Sequence, residues 1–164
     1  MSQKNIWLKI SEGIKGEGTH EGYTDQIQID SYAFSASNVI AGNRQAAGQI
    51  RGQVSVSDFT VNASLGLHSA PLFKALTSNQ NLKEVVMTKL TSADKPTPFL
   101  IITMTNCFVS AFQSADSGGS GTPGMESIGF NYEKIHIKYT LFGSDNKNKG
   151  GNEATYDAAK GKTS

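Results

Sequence analysis

The residues that could support catalysis are few, and their spacing does not match a known site. His20, His68 and His136 fall in a predicted loop, just before a predicted helix and in a predicted strand. No two of them have the spacing of a metal-binding pair, and a zinc or iron site requires more converging ligands. We therefore expect each to be a surface or partly buried histidine, and we predict no metal ion and no cofactor.

Two short motifs resemble functional ones but depart from them at essential positions. Ser120 stands where the nucleophile stands in a G-x-S-x-G elbow, but Thr122 replaces the second glycine and the segment joins two predicted strands. Residues 161–163 resemble the end of a phosphate-binding loop, but Tyr156 occupies the position of its leading glycine. Neither motif is expected to be functional.

Two further features, Cys107 and the glycine-rich residues 13–18, are predicted to have structural roles rather than functional ones. Cys107 lies in an apolar strand pattern, which favours a small core residue over a reactive thiolate. Residues 13–18 contain three glycines without the G-x-G-x-x-G spacing, and no helical pattern follows them. The sequence thus predicts that the protein is not an enzyme.

Composition restricts the partners and the compartment. The 164 residues carry a formal net charge of +1 without a dense run of lysine or arginine, so nucleic acid is not an expected partner. The first residues lack the apolar core of a signal peptide, and no apolar run approaches a membrane span. A single cysteine suits a reducing cytosol. We expect a cytosolic protein without a cleaved leader or membrane insertion.

The chain is organised around a predicted hairpin with two long arms. Residues 99–115 and 126–142 are rich in strand-forming side chains, and residues 116–124 between them contain four glycines and a proline. Arms of this length exceed the usual strand of roughly 5–6 residues, and long strands seldom remain flat. The hairpin therefore predicts a bent sheet.

The alternation of apolar residues along the second arm locates the bend. Ile128, Phe130 and Tyr132 share one face, but the following apolar residues have the opposite parity. Because side chains alternate strictly across a strand, this slip predicts a bulge or bend at Glu133-Lys134.

Two other segments show the same slip, at residues 26–35 and at residues 54–61. Three slips predict that the sheet is strongly bent or closed. The predicted fold class is therefore mainly β: a bent antiparallel β-barrel of two sheets, with one α-helix on its side and a long extended loop.

The first arm carries apolar residues on both faces, for example Phe99 and Ile101 on one and Ile102 and Met104 on the other. Two explanations remain open. The arm can be a central strand covered by a helix or a second sheet, or part of one face can be a subunit interface.

One helix is predicted, over residues 69–81. Ser69 can cap its start, and Leu72, Phe73 and Leu76 form an apolar stripe. We place residues 1–142 in a single barrel domain that includes this helix. Residues 143–164 are a polar C-terminal tail, either mobile or docked through Tyr156.

The segment 37–52 is too long for a tight turn. It contains small residues, glycines and two arginines without a clear apolar period. Such a loop is either a floppy excursion or an arm that becomes ordered against a neighbour, and we favour the arm. The residues expected to make this contact are Val39, Ile40, Ala41, Asn43, Arg44, Gln45, Gln49, Ile50 and Arg51.

Several short motifs resemble a known family in their order along the chain. Ile14-Lys15-Gly16-Glu17, with His20 shortly after, resembles an I-x-G-E…H opening, and residues 27–32 resemble the I-x-[IV]-x-S strand that follows it. Residues 69–76 resemble an S-P-x-L helix, and later strand motifs follow in order at residues 82–85, 99–104 and 126–132. Together these motifs resemble the haemolysin-coregulated protein (Hcp) family of type VI secretion systems.

The resemblance implies a structural role. It implies a β-barrel subunit that assembles into hexameric rings, which stack into the inner tube of a contractile injection machine. The expected partners are further copies of the chain, the sheath, the spike proteins at the tip and small effectors in the lumen. It also implies that the tube is cytosolic until contraction of the sheath expels it.

Two other classes of function are kept as alternatives. The first is a small cytosolic hydrolase that uses Ser120 or Cys107 as its nucleophile. The second is a monomeric ligand-binding β-barrel, which requires an enclosed apolar cavity.

Overall fold

The computed structural model describes residues 5–39, 53–92, 95–119, 121 and 123–164. Within these residues, ten strands and one helix follow one another along the chain. Their bounds are β1 (Ile6–Ile10), β2 (Ile27–Ala33), β3 (Ala36–Val39), β4 (Gln53–Val56), β5 (Phe59–Ser64), α1 (Ser69–Thr77), β6 (Leu82–Leu90), β7 (Pro98–Ala115), β8 (Met125–Phe142), β9 (Asn148–Asp157) and β10 (Lys162–Thr163).

Six strands close into an antiparallel barrel in the order β8-β5-β2-β1-β6-β7, because β7 also pairs with β8. On one edge, the first third of β8 pairs with β5, from Ser64 opposite Met125 to Phe59 opposite Phe130. On its other edge β8 pairs with β7 along nearly its whole length. The predicted mainly β fold, a bent antiparallel barrel with one helix, is confirmed.

Inward-facing side chains fill the barrel. Leu8, Phe59, Met87, Ile102 and Phe130 have at most 1% of their surface exposed. The helix α1 packs against β7 and adds two buried residues, Leu72 and Ala75, to the same core. Burial of this apolar surface is the main term that stabilises the closed barrel.

The helix ends earlier than residue 81, at Thr77. Asn79 adopts the left-handed conformation with φ of 51°, which stops helical propagation. The Gln80 N–H then donates to the Ala75 carbonyl at 3.0 Å, and the Asn79 N–H donates to the Leu76 carbonyl. This pattern is a Schellman motif, in which asparagine takes the position that glycine usually occupies.

The start of the helix and its stripe also differ from the prediction. Ser69 is the first helical residue rather than the cap, and its Oγ accepts from the Gly66 N–H at 3.0 Å. Phe73 does not belong to the buried stripe, because 54% of its surface is exposed. Ala75 is buried instead, three residues after Leu72.

The predicted slips have three different structural origins. In β2 the slip is a bulge, because the register with β5 shifts between Ile29 and Ser31. In residues 54–61 the prediction of one slipped strand is wrong: β4 and β5 are separate strands, divided by Ser57-Asp58. These two residues redirect the chain from one sheet to another.

In β8 the buried side chains change parity between Tyr132 and Ile135, as predicted for Glu133-Lys134. The neighbouring strand changes parity at the same level, where Asn106 has a φ of 52° and its Nδ2 donates to Glu133 Oε2 at 2.7 Å. Because both strands slip together, the pairing register is the same before and after the bend.

The segment after β8 forms further strands. β9 pairs with the second half of β8, from Lys134 opposite Asp157 to Phe142 opposite Asn148, and β10 pairs with the end of β9. Tyr156 in β9 is partly buried and packs against the barrel core. This strand occupies the edge of β8 that β5 leaves free beyond Phe130.

Candidate functional site

The loop predicted to contact other subunits is only partly described. Val39 is the last residue of β3, opposite Gln53 of β4. The other predicted contact residues lie outside the described residues: Ile40, Ala41, Asn43, Arg44, Gln45, Gln49, Ile50 and Arg51. Of the predicted loop 37–52, the structure describes residues 37–39, which belong to β3. The two-stranded sheet that β3 forms with β4 is here called the ribbon.

The ribbon projects from the barrel, and of its described residues Val56, at its base, packs against the core. Ala36, Ser37 and Asn38 of β3 are exposed, as are Val54 and Ser55 of β4. Apart from Val56, the two strands contact each other and no other described strand or helix. An isolated two-stranded hairpin is at best marginally stable in water, so this geometry is typical of an element completed by a partner.

Large apolar side chains are also exposed on the barrel. Along the β7–β8 pair, Phe108, Tyr139 and Leu141 have 39%, 46% and 50% of their surfaces exposed. A second set lies on and around the helix and near the start of β8: Leu65, Leu67, Phe73 and Met125. Exposed apolar surface distributed in this way suits contacts with other molecules better than contact with water.

The three histidines occupy three different environments. The His20 ring stacks with those of Trp7 and Tyr23, beside an open cleft of about 430 Å³. His136 lies on β8, where its Nδ1 is 2.6 Å from Thr155 Oγ1 and its Nε2 is 3.4 Å from the Glu153 carboxylate. Within the described part of the chain, no group of three possible metal ligands comes together.

His68 is not a surface residue, because it is 4% exposed and contacts the buried carboxyl group of Glu126. Its Nε2 contacts Glu126 Oε1, and the Glu126 side chain is fully buried. Gly66 makes room for the pair: a Cβ at this position would lie 3.2 Å from the His68 ring and 3.6 Å from the Glu17 carboxyl carbon. The pair joins the start of α1 to the start of β8.

The sequence carried a signal for Glu126 that motif searching missed. Glu126 has the same parity as Ile128, Phe130 and Tyr132, all of which face the barrel interior. A carboxylate on an inward face needs a buried partner. His68 is that partner, and the pair has a structural position rather than a catalytic one.

Of the two candidate nucleophiles, the structure describes Cys107, and its surroundings do not favour a reactive thiolate. Cys107 is fully buried, and burial raises the pKa of its thiol from 9.0 to about 12, with a further contribution from the negative charge of Glu84. Ser120 lies outside the described residues. The interior that a ligand-binding barrel would need is filled by the core side chains named above.

The comparison with known families decides the assignment. The model of the family described as "Type VI secretion system effector, Hcp" matches residues 7–139. The chain belongs to the Hcp family. Hcp proteins are tube proteins of type VI secretion systems, so its role is structural and not enzymatic. No curated protein sequence is significantly similar to the chain.

Solved structures of type VI secretion system proteins have the same fold. The structure of a type six secretion system protein superposes with a TM-score of 0.90 at 21% identity, covering 98% of this chain and 99% of that one. Hcp1 from Salmonella typhimurium gives 0.78 at 21% identity, with 98% of each chain covered. A type VI secretion system effector from Yersinia pestis gives 0.75 at 22% identity, covering 93% and 99%.

Secretion is a property of the Hcp family. In the described residues, no helix has the length and apolar character needed to cross a membrane.

We predict that the change His68→Ala strongly destabilises the barrel. Removing the imidazole leaves the buried Glu126 carboxyl group without its partner, which costs about 1–3 kcal/mol, and it also leaves a cavity in the core. Urea unfolding followed by circular dichroism measures the loss. The matched control is His136→Ala, which breaks the partly exposed contacts with Glu153 and Thr155, and we expect it to cost about 1 kcal/mol or less.

The double variant His68→Leu with Glu126→Met separates charge from volume. It buries no charge, so it should recover part of the stability that His68→Ala loses. If His68→Ala were no more destabilising than His136→Ala, the buried pair would not support the fold.

We also predict that Cys107 is unreactive in the folded protein. With a pKa of about 12, roughly one thiol in ten thousand is ionised at pH 8. Iodoacetamide should therefore label the unfolded protein rapidly and the folded protein at a negligible rate. Fast labelling of folded protein would show that the strand opens locally.

The raised pKa of Cys107 also makes the free energy of unfolding depend on pH. Between pH 9 and pH 12 the folded protein keeps a thiol proton that the unfolded chain loses, so this group contributes less stability as the pH rises. The Cys107→Ala variant removes this contribution. The stability difference between the wild type and the variant should therefore shift against the wild type across this range.

Proposed function

We propose that this chain forms hexameric rings that stack into the inner tube of a type VI secretion system. The observation that carries the proposal is the match to the Hcp family over residues 7–139, on a closed barrel. The exposed apolar residues of β7, β8 and the helix region, together with the unpartnered ribbon, support assembly from the surface of the molecule.

The geometry of a ring agrees with these surfaces. A cyclic ring is closed by heterologous contacts, in which one surface of each copy meets a different surface of the next. The exposed apolar residues Tyr139 and Leu141 near the end of β8 and the ribbon are two distinct surfaces that can serve in this way. A persistent contact should bury more than about 1,000 Å² in total.

The segment 39–51 between the ribbon strands is proposed as the contact to a neighbouring subunit or ring. Its predicted contact residues include Arg44 and Arg51, whose guanidinium groups can form several hydrogen bonds each. Contacts between rings should be weaker than those within a ring, since a tube must come apart after delivery.

The remaining partners follow from the same role. The outer surface of the tube is proposed to face the sheath, its end to meet the spike proteins, and its lumen to hold small effectors. The subunit is proposed to remain in the bacterial cytoplasm until contraction and then to leave the cell without cleavage of a leader peptide.

We predict that the purified chain forms rings with the mass of six subunits. Size-exclusion chromatography with light scattering gives the mass, and negative-stain images give the shape of the particle. Because assembly is driven by mass action, the measurement should span low and high protein concentrations. A strictly monomeric particle at high concentration would contradict the proposal.

We further predict that deletion of residues 41–51 spares the barrel but weakens ring stacking. In sequence the deleted residues lie between β3 and β4, and none of them belongs to a strand of the barrel ladder. Circular dichroism should be unchanged, while ring-on-ring association in light scattering should fall. The variant Lys160→Ala with Lys162→Ala, which removes two positive charges at exposed positions elsewhere, serves as the control. Unchanged stacking in the deletion variant would assign the loop another role.

A further inference from the structure

The ribbon joins the barrel through two short junctions, Phe34-Ser35 before β3 and Ser57-Asp58 after β4. The junctions are bonded to each other. The Ser57 N–H donates to the Ser35 carbonyl at 2.8 Å, and the Ser35 N–H donates to Ser57 Oγ at 2.7 Å. The Phe34 ring stacks on Phe59 with a centroid distance of 5.6 Å, which fixes the first junction to the core.

Asp58 attaches the second junction to the barrel wall. Its Oδ2 accepts from Ser110 Oγ at 2.6 Å, and its Oδ1 accepts from Asn131 Nδ2 at 3.1 Å. Ser110 belongs to β7 and Asn131 to β8, so one carboxylate bridges two neighbouring strands. Hydrogen bonds to an ionised acceptor are stronger than those between neutral groups.

The barrel wall has an irregularity at this position. The register between β7 and β8 shifts between Val109 and Ala111, which leaves Ser110 as the extra residue of a bulge. On the opposite strand, the absence of a side chain at Gly129 leaves room for Ser110, because a Cβ at Gly129 would lie only 3.0 Å from Ser110 Oγ. Bulges commonly re-aim a side chain, and here the bulged residue contacts Asp58.

A buried residue holds the same junction from the other side. The Tyr132 hydroxyl donates to the Ser57 carbonyl at 2.9 Å, and Tyr132 is buried. Burial raises the pKa of Tyr132, and the negative charge of Asp58 adds to this shift. Tyr132 therefore stays protonated and remains a donor at neutral pH.

Apart from Val56, which packs against the core next to the second junction, the described part of the ribbon lies close to no other strand or helix, so its direction is set at these junctions. The contacts of Asp58 involve exposed residues and are not part of the barrel ladder or core. Loss of these contacts should therefore affect the orientation of the ribbon more than the stability of the barrel.

We propose that Asp58 is a positioning residue that fixes the direction in which the ribbon leaves the barrel to meet a second copy of the chain. This inference rests on the ring assembly proposed above, and it assigns a control of that assembly to Asp58. Ser110 and Asn131 act with it as the two anchors on the barrel wall.

The test compares Asp58→Ala with Asp58→Asn in the full chain. The alanine variant loses both anchors, so the protein concentration at half-assembly should rise about tenfold, which corresponds to about 1.4 kcal/mol. Asparagine can still accept from Asn131 and reach Ser110, so Asp58→Asn should assemble nearly as the wild type does. The urea midpoint of both variants should stay close to the wild-type value.

A double-mutant cycle separates positioning from direct contact with the neighbour. Ser110→Ala and Asn131→Ala should each weaken assembly, and adding either change to Asp58→Ala should weaken it little further. Additive effects would show that Asp58 touches the neighbouring copy itself, and they would overturn the proposal.

Hydrogen exchange provides a readout that does not depend on rings. In Asp58→Ala, the amides of residues 36–38 and 54–56 should exchange faster, while those of β6 should be unchanged. If the wild type forms no rings, the proposed function fails, and this measurement still tests the anchor. Unchanged exchange in the ribbon would overturn the role of Asp58.

Discussion

The fold depends on one constraint, which is that β8 must form hydrogen bonds on both edges at once. Its first third lies between β5 and β7, and its second half lies between β9 and β7. The barrel closes because β8 completes the circle that begins at β5. Closure removes the free edges that an open sheet would expose to other chains. β8 bends at Glu133, and β7 bends at the same level at Asn106. This bend allows β8 to pair with β5 before it and with β9 after it, while apolar residues still face the interior.

Much of this architecture could be predicted from side-chain parity. The slips in β2 and β8 were visible because Ile27, Ile29, Ile128 and Phe130 mark a face clearly. The division between β4 and β5 could not be predicted in this way. A change of parity looks the same whether the chain forms a bulge within one strand or turns through two residues into a second strand. β9 was hidden by its composition: asparagine, lysine and glycine have low strand propensity, and the free edge of β8 determines its structure.

Less of the candidate site than of the fold could be predicted from the sequence. His68 and Glu126 are far apart along the chain, and only the closed barrel brings them together. The contact of Asp58 with Ser110 depends on the bulge at Ser110 and on the space that Gly129 leaves opposite it. Both are features of the backbone that the order of residues does not reveal. Family motifs indicated the role of the chain as a whole, because such motifs preserve order along the sequence. They did not reveal which polar contacts hold the ribbon.

The burial of Cys107 has a consequence for a secreted protein. A subunit that passes from a reducing compartment to an oxidising one meets conditions in which accessible sulfur atoms form mixed disulfides or link one copy to the next. The only sulfur in this chain able to form such a bond lies between β6 and β8 inside the wall, opposite Leu82 on one side and Tyr132 on the other. Packing alone therefore keeps released subunits free of covalent cross-links.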